Sequence, residues 1–270
     1  MDPVDLVKRI KSNAPTLTQD GKIYFIVERD LKLHESELLE YAKSIANSLS
    51  TQDPGKKPEG LVAATINGKP MRWETPVKLT WAIDENSFQG KAAELTKTKQ
   101  ICADASKDWN DAAKEMGIDH LVQFSENTTN PLFSFAFDKF SAPGLYAVAF
   151  FPNDAKAKRC VHIGPTTFMT PNDFDPIGVI RHELGHVLGF RHEHIRPEAK
   201  PGTQIGEIRE SWVVGSIGGE DLTDYDSQSV MHYPLSNGKG TMDFKLSDKD
   251  KAGFRDLYLL DSANVEEFSV

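Results

Sequence analysis

Between His182 and His192 the chain reads His-Glu-Leu-Gly-His-Val-Leu-Gly-Phe-Arg-His. No other stretch limits the possible folds as much. Two histidines four residues apart on a helix lie on one face, one turn apart, so both imidazoles can reach the same ion. Glu183 sits a 100° step past the first of them. That step brings its carboxylate to a metal-bound water without making it a ligand. Gly189 can leave the helix through a left-handed conformation that residues with a Cβ avoid. The turn it allows returns His192 as a third ligand. Three nitrogens leave a position open on zinc, which marks a catalytic site and not a closed structural one.

The competing reading is a polar surface helix with scattered histidines. The flanking residues argue against it. Asp175 and Pro176 supply an N-cap and a proline for the first helical position. Ile177, Ile180, Leu184 and Leu188 then recur at helical spacing, on the side roughly opposite His182 and His186. One face is set to bury in a core while the other carries the metal.

Further on comes Ser229-Val230-Met231-His232-Tyr233. The extended histidine motif with this later methionine turn resembles the signature of the metzincin zinc endopeptidases. Within that group the chain is most similar to the astacins. After the third histidine they continue Glu-Gln-x-Arg-Pro, and here the chain has Glu193-His194-Ile195-Arg196-Pro197, with His194 in the glutamine position. The likeness is strong from about Asp175 to Tyr233, weaker from about Trp73 to Tyr258, and does not clearly reach residues 1–60.

The resemblance implies an α+β metzincin-type zinc peptidase: a twisted mixed sheet, a backing helix, an active-site helix and a C-terminal helix. It implies one Zn2+ per chain on His182, His186 and His192, and a peptide or protein substrate. Glu183 becomes the general base and later proton donor. Tyr233 becomes a reversible fifth ligand or an oxyanion-stabilising hydroxyl, with ring packing as its plainer alternative. Met231 becomes an apolar floor under the metal. His194 and His232 are not expected to be ligands. In astacins the residue at Glu193 pairs with the amino terminus freed by activation cleavage, and an acidic residue is favoured after the scissile bond. Chemically, zinc acidifies bound water and polarises a carbonyl, a neighbouring carboxylate can shuttle the proton, and a phenol can donate to an oxyanion.

Composition narrows the function classes. The chain has 270 residues, with 31 basic against 40 acidic side chains and a net charge of −9, which argues against nucleic-acid binding. No apolar run has the length of a membrane span, and a monomer is expected. Cys102 falls on an apolar stripe with Ala105, Trp109, Ala112 and Met116, and Cys160 opens a strand-like run, so two free thiols are expected, with a single Cys102–Cys160 bridge as the alternative. Met1 to Pro15 shows no apolar core of a secretory signal, although the resemblance implies export.

The order of elements divides the chain into an N-terminal region, 1–60, and a catalytic domain, 61–270. Lys22–Glu28 reads as a strand, Glu35–Leu49 as an amphipathic helix with Leu38, Leu39, Ala42, Ile45 and Leu49 on one side, and Thr51–Gly60 as a linker. In the second part, Val77–Ile83 reads as a strand and residues 91–116 as a long helix stopped by Gly117. Short strands follow at His120–Phe124, Leu132–Phe137, Leu145–Phe151 and Cys160–Ile163. Lys156–Arg159 reads as an exposed loop and Glu198–Gln228 as a loop-rich stretch that shapes the pocket. Ser247-Asp248-Lys249-Asp250 reads as a capping box opening the last helix. Tyr146–Phe150 is either the sheet edge that receives a peptide or ordinary core strand.

Residues 1–60 form either an inhibitory pro-segment or a permanent part of the fold. No cysteine precedes residue 102, which excludes a cysteine switch from this region. Asp30 is the nearest analogue of the aspartate that blocks zinc in astacin pro-segments, but it reads by itself as a surface turn residue. Two other functions stand against the peptidase. One is a zinc-containing binding protein without turnover. The other is an effector that recognises its partner through residues 1–60, with proteolysis secondary.

Overall fold

The computed structural model describes residues 2–19, 21–27, 30–39, 41–43, 61–140, 144–169, 174–193, 219–233 and 242–270. The proposed linker, His194 and most of the loop-rich stretch 198–228 lie outside them.

The chain begins with helix α1 (Pro3–Asn13), which the sequence reading leaves unassigned. Asp2 caps it by accepting the Val4 N–H, and Leu6 and Ile10 are its buried face. An antiparallel meander follows: β1 (Thr16–Gln19), β2 (Lys22–Val27) and β3 (Leu31–His34). The strand expected at Lys22–Glu28 is β2. At Glu35 the chain makes a single 3-10 turn before the helical residues 38, 39 and 41–43. Leu38 and Ala42 are buried there, whereas Leu39 is 41% exposed and does not share their side.

The remainder builds two sheets. The small sheet uses β4 (Val62–Ile66) and β5 (Lys69–Trp73). The main sheet begins with β6 (Val77–Ile83), followed by the backing helix α2 (Ala92–Glu115). Next come β7 (Val122–Glu126), β8 (Phe133–Phe137), β9 (Ala147–Val148) and β10 (Cys160–Ile163). Then follow the motif helix α3 (Pro176–Leu188), β11 (Phe190–Arg191), β12 (Gly219–Asp221), the last helix α4 (Asp248–Leu259) and β13 (Glu266–Phe268). The main sheet runs β7-β6-β8-β10-β9; its first four strands are parallel and only the edge strand β9 is antiparallel. The small sheet runs β11-β4-β5-β13, with β12 also on β4. This is the expected α+β arrangement with a mixed sheet and three long helices. Among the described residues no helix is long and apolar enough to cross a membrane.

Packing fixes α3 against α2. The stripe Cys102, Ala105, Trp109 and Ala112 is buried. Trp109 donates its indole N–H to Arg181 O at 2.9 Å and stacks on Phe190. Phe254 of α4 meets the same indole edge-on. Cys102 and Cys160 are both free and buried, in line with expectation.

The N-terminal meander lies directly on this body. Leu31 makes a parallel bridge to Ala149, just past edge strand β9. Leu17 and Ile26 cluster with Val148, while Val27, Leu31, Leu6 and Ile10 cluster with Phe151 packed against them. Lys32 is buried in the same contact. Its ammonium donates to Gln19 Oε1 at 3.1 Å, Lys158 O at 2.8 Å and Cys160 O at 3.1 Å. The edge is thus covered by this chain's own strand. Lys158, placed by the sequence in an exposed loop, is part of that contact, pairing with Glu37 at 2.7 Å.

Candidate metal centre

Helix α3 starts where the sequence places it. Asp175 accepts the Ile177 N–H at 3.2 Å, with Pro176 in the first turn. It ends at Gly189, whose φ of 104° is the left-handed geometry that reverses the chain into β11. His192 follows on the returning strand. All faces of α3 from Gly178 onward are buried, so the apolar stripe is only part of a fully enclosed helix. A Cβ on Gly185 would strike Met231 Sδ, so the methionine packs directly under the helix backbone.

His182, His186 and His192 come together. The Nε2 atoms of His186 and His192 are 3.2 Å apart, and one nitrogen of each ring together with an Asp30 oxygen lies within 4.8 Å of the others. Backbone carbonyls set the tautomers. His182 Nδ1 donates to Val230 O at 2.7 Å, and His186 Nδ1 donates to Phe190 O at 2.8 Å. A carbonyl only accepts, so each Nδ1 carries the proton and each Nε2 presents a lone pair to the shared centre. Burial lowers the His186 pKa to about 4 despite the nearby Asp30 carboxylate, which keeps that ring in the neutral form a ligand needs.

Asp30 overturns the turn-residue reading. It is 1% exposed, with Oδ2 at 2.9 Å from His192 Nε2, 3.1 Å from His182 Nε2 and 3.7 Å from His186 Nε2. Tyr233 donates its hydroxyl to the same oxygen. The residue is in a turn, as its neighbours suggest, but β2 and β3 aim that turn inward. The available signal is the flank: apolar Val27 and Leu31 lie on either side, and both are buried.

The donor set fits a divalent cation. Bare ring nitrogens and carboxylate oxygens converge on one point. Asp30 Oδ1 and Glu183 Oε2 are buried with no hydrogen-bond partner among the described residues. Acceptors facing acceptors repel unless a positive charge lies between them. Three imidazoles suit zinc best among common metals. Burial, and secondarily the Asp30 charge, push the Glu183 carboxyl well above its ordinary value.

Beside Glu183 lies a cavity of about 280 Å³, lined among others by Tyr146, Phe174, Val179, Phe244 and Pro15 of the N-terminal region. Among the described residues its wall holds no lysine or arginine. His232 is buried and bonded to the Tyr225 hydroxyl at 2.9 Å, outside the cluster, as expected of a non-ligand. Glu193 is buried too, accepting the Asp226 N–H at 2.7 Å.

Comparison with known proteins agrees with this geometry. The profile of the astacin peptidase family matches residues 163–211. Tolloid-like protein 2 of Mus musculus is 33% identical over 106 residues, covering 34% of this chain and 10% of that protein. Zinc metalloproteinase nas-36 of Caenorhabditis elegans is 24% identical over 260 residues, covering 92% of this chain and 36% of that protein. Over residues 163–211 the chain is similar to the astacins. It spans only about a tenth of the length of the first curated relatives it matches. Among solved structures it is similar to myroilysin, with a TM-score of 0.47, 14% identity and coverage of 73% of this chain and 99% of that one.

Proposed function

We propose that residues 61–270 act as a zinc-dependent endopeptidase and that residues 1–60 hold it latent. The reading rests on one observation above all: three imidazoles and the Asp30 carboxylate point at one buried spot, with Glu183 beside it. His182, His186 and His192 would hold one zinc per chain. Bound there, zinc supplies Lewis-acid polarisation of a carbonyl and acidification of water. Glu183 Oε would take a proton from the attacking water and pass it to the leaving amide nitrogen; its raised proton affinity suits both halves of that transfer. With Asp30 displaced, the Tyr233 hydroxyl would donate to the oxyanion instead. Met231, packed on Gly185, would keep the floor rigid.

The N-terminal region supports latency in two ways. Asp30 sits where a substrate carbonyl or water would approach. Leu31 occupies the backbone edge at Ala149, beside the strand expected to receive a peptide. The cavity beside Glu183, whose described wall away from His182 and Glu183 is mainly apolar and aromatic, suits an aliphatic or aromatic side chain next to the scissile bond better than an acidic one.

The test is a quenched-peptide assay on zinc-loaded protein, with N-terminal sequencing over time and Glu183→Ala as comparator. Turnover should appear as chains starting at Met1 disappear. The variant should retain zinc yet lose activity by roughly 10²- to 10⁴-fold, the usual contribution of a general base. Equal turnover in both proteins rejects the base assignment, and full activity from an uncut chain rejects latency.

A further inference from the structure

We infer that Asp250, on the last helix, is a positioning residue for the metal centre: its carboxylate sets the Val230 carbonyl that orients His182. The inference rests on the metal reading above. Asp250 is 0% exposed. Its Oδ2 accepts the Val230 N–H at 2.8 Å and the Ser247 N–H at 2.9 Å, and its Oδ1 accepts the Ser229 hydroxyl at 2.5 Å. Ser229 Oγ in turn accepts the Met231 N–H at 3.0 Å. The Val230 carbonyl and the Met231 N–H belong to one planar peptide unit. Holding that N–H fixes the direction of the carbonyl on its far side. That carbonyl accepts His182 Nδ1 at 2.7 Å. Two links therefore run from Asp250 to His182, one through the Val230 N–H and one through Ser229 Oγ and the Met231 peptide.

Helix capping alone does not explain this arrangement. The capping box needs only the bond from the Ser247 N–H, together with the reciprocal Asp250 N–H to Ser247 Oγ at 3.0 Å. The contacts to Ser229 and Val230 exceed it. Its neighbour Asp248 carries the same charge in the same first turn with a side chain 102% exposed. Only Asp250 is taken into the interior, where burial raises its pKa to about 6 against the pull of its three hydrogen bonds. A buried carboxylate is a poor stability device. It is a good way to fix the consecutive backbone N–H groups of Val230 and Met231 at once. Partners of this outer kind usually govern metal affinity by 10- to 100-fold.

The test uses the full chain, with cobalt(II) and zinc as probes. Asp250→Ala should weaken zinc binding, measured by chelator competition, by about 10- to 100-fold and should alter the visible d–d bands of the cobalt form. Asp250→Asn can still accept from Val230 and Ser247 and can donate to Ser229, so it should restore both readouts. Leu257→Ala, a core truncation on the same helix, should lower the thermal midpoint but leave affinity and spectrum unchanged. If Asp250→Ala does not fold, Ser229→Ala tests the same link and should show a smaller affinity loss with a changed spectrum. Wild-type affinity and spectrum in Asp250→Ala, or in Ser229→Ala when it stands in, overturn the inference. So does a loss in Leu257→Ala as large as in Asp250→Ala. A wild-type chain that takes up neither ion overturns the metal reading itself.

Discussion

The catalytic body and the N-terminal meander meet at one buried spot, but they are built differently. The body is organised on one large apolar cluster, in which Trp109 touches Phe190 and Phe254 and anchors α3 through Arg181 O. The meander has two small clusters, each completed by a residue of the body. Its closest approach to the histidines is polar: one carboxylate and, farther out, one buried ammonium on three oxygens. A large core confers lasting stability. A small core with polar contacts can dock and leave. The difference is what the proposed latency needs: a lasting body and a part able to leave it.

The sharpest way to break the comparison is at Trp109. Trp109→Ala should cost about 3–5 kcal/mol, read as a lower thermal midpoint, because it empties a fully enclosed site. A midpoint within a degree of wild type would mean that the body does not depend on this cluster.

Asp250 gives the next largest effect, again in the body. Its folded pKa of about 6 lies above the ordinary carboxylate value of 3.8. The folded state therefore holds a proton that the unfolded chain has already released. Stability from this group falls as pH rises from about 4 to 6 and is level above that, by about 3 kcal/mol in all. Asp250→Asn should remove that slope. Parallel stability-against-pH curves for the two proteins would contradict the assignment.

The smallest of these effects belongs to the restraining half. Asp30→Ala removes a charged hydrogen-bond partner worth about 1.5–3 kcal/mol, so peptide turnover by the uncut chain should rise roughly 10- to 150-fold. The thermal midpoint of the body should hardly move. A fall in turnover would show that Asp30 assists the chemistry and does not block it.

Legibility in the sequence divides along the same line. His182, Glu183, His186 and His192 are readable because local geometry alone brings them together: one helical turn, then one left-handed glycine. The same holds for the Asp175 cap, the Ser247 capping box and the α2 stripe around Trp109. Asp30 is readable only as an analogue suggested by resemblance and not by its own surroundings, because its place depends on a meander docking 152 residues away in the chain from His182. Helix α1 escapes notice since only Leu6 and Ile10 mark its buried face, and Leu39 misleads because its register alone does not reveal which side meets the body. Asp250 looks like a cap and nothing more, since its partners Ser229 and Val230 are tertiary.

Under the proposed latency, Asp30 blocks the histidines from within the same polypeptide. A tethered blocker acts at an effective concentration of the millimolar order, set by chain geometry and not by how much protein is present. Dilution cannot free the site, and a competing peptide must outbid a rival that never diffuses away. Cutting the connection changes this at once: the blocker then faces the bulk solution, and its hold lapses as it disperses.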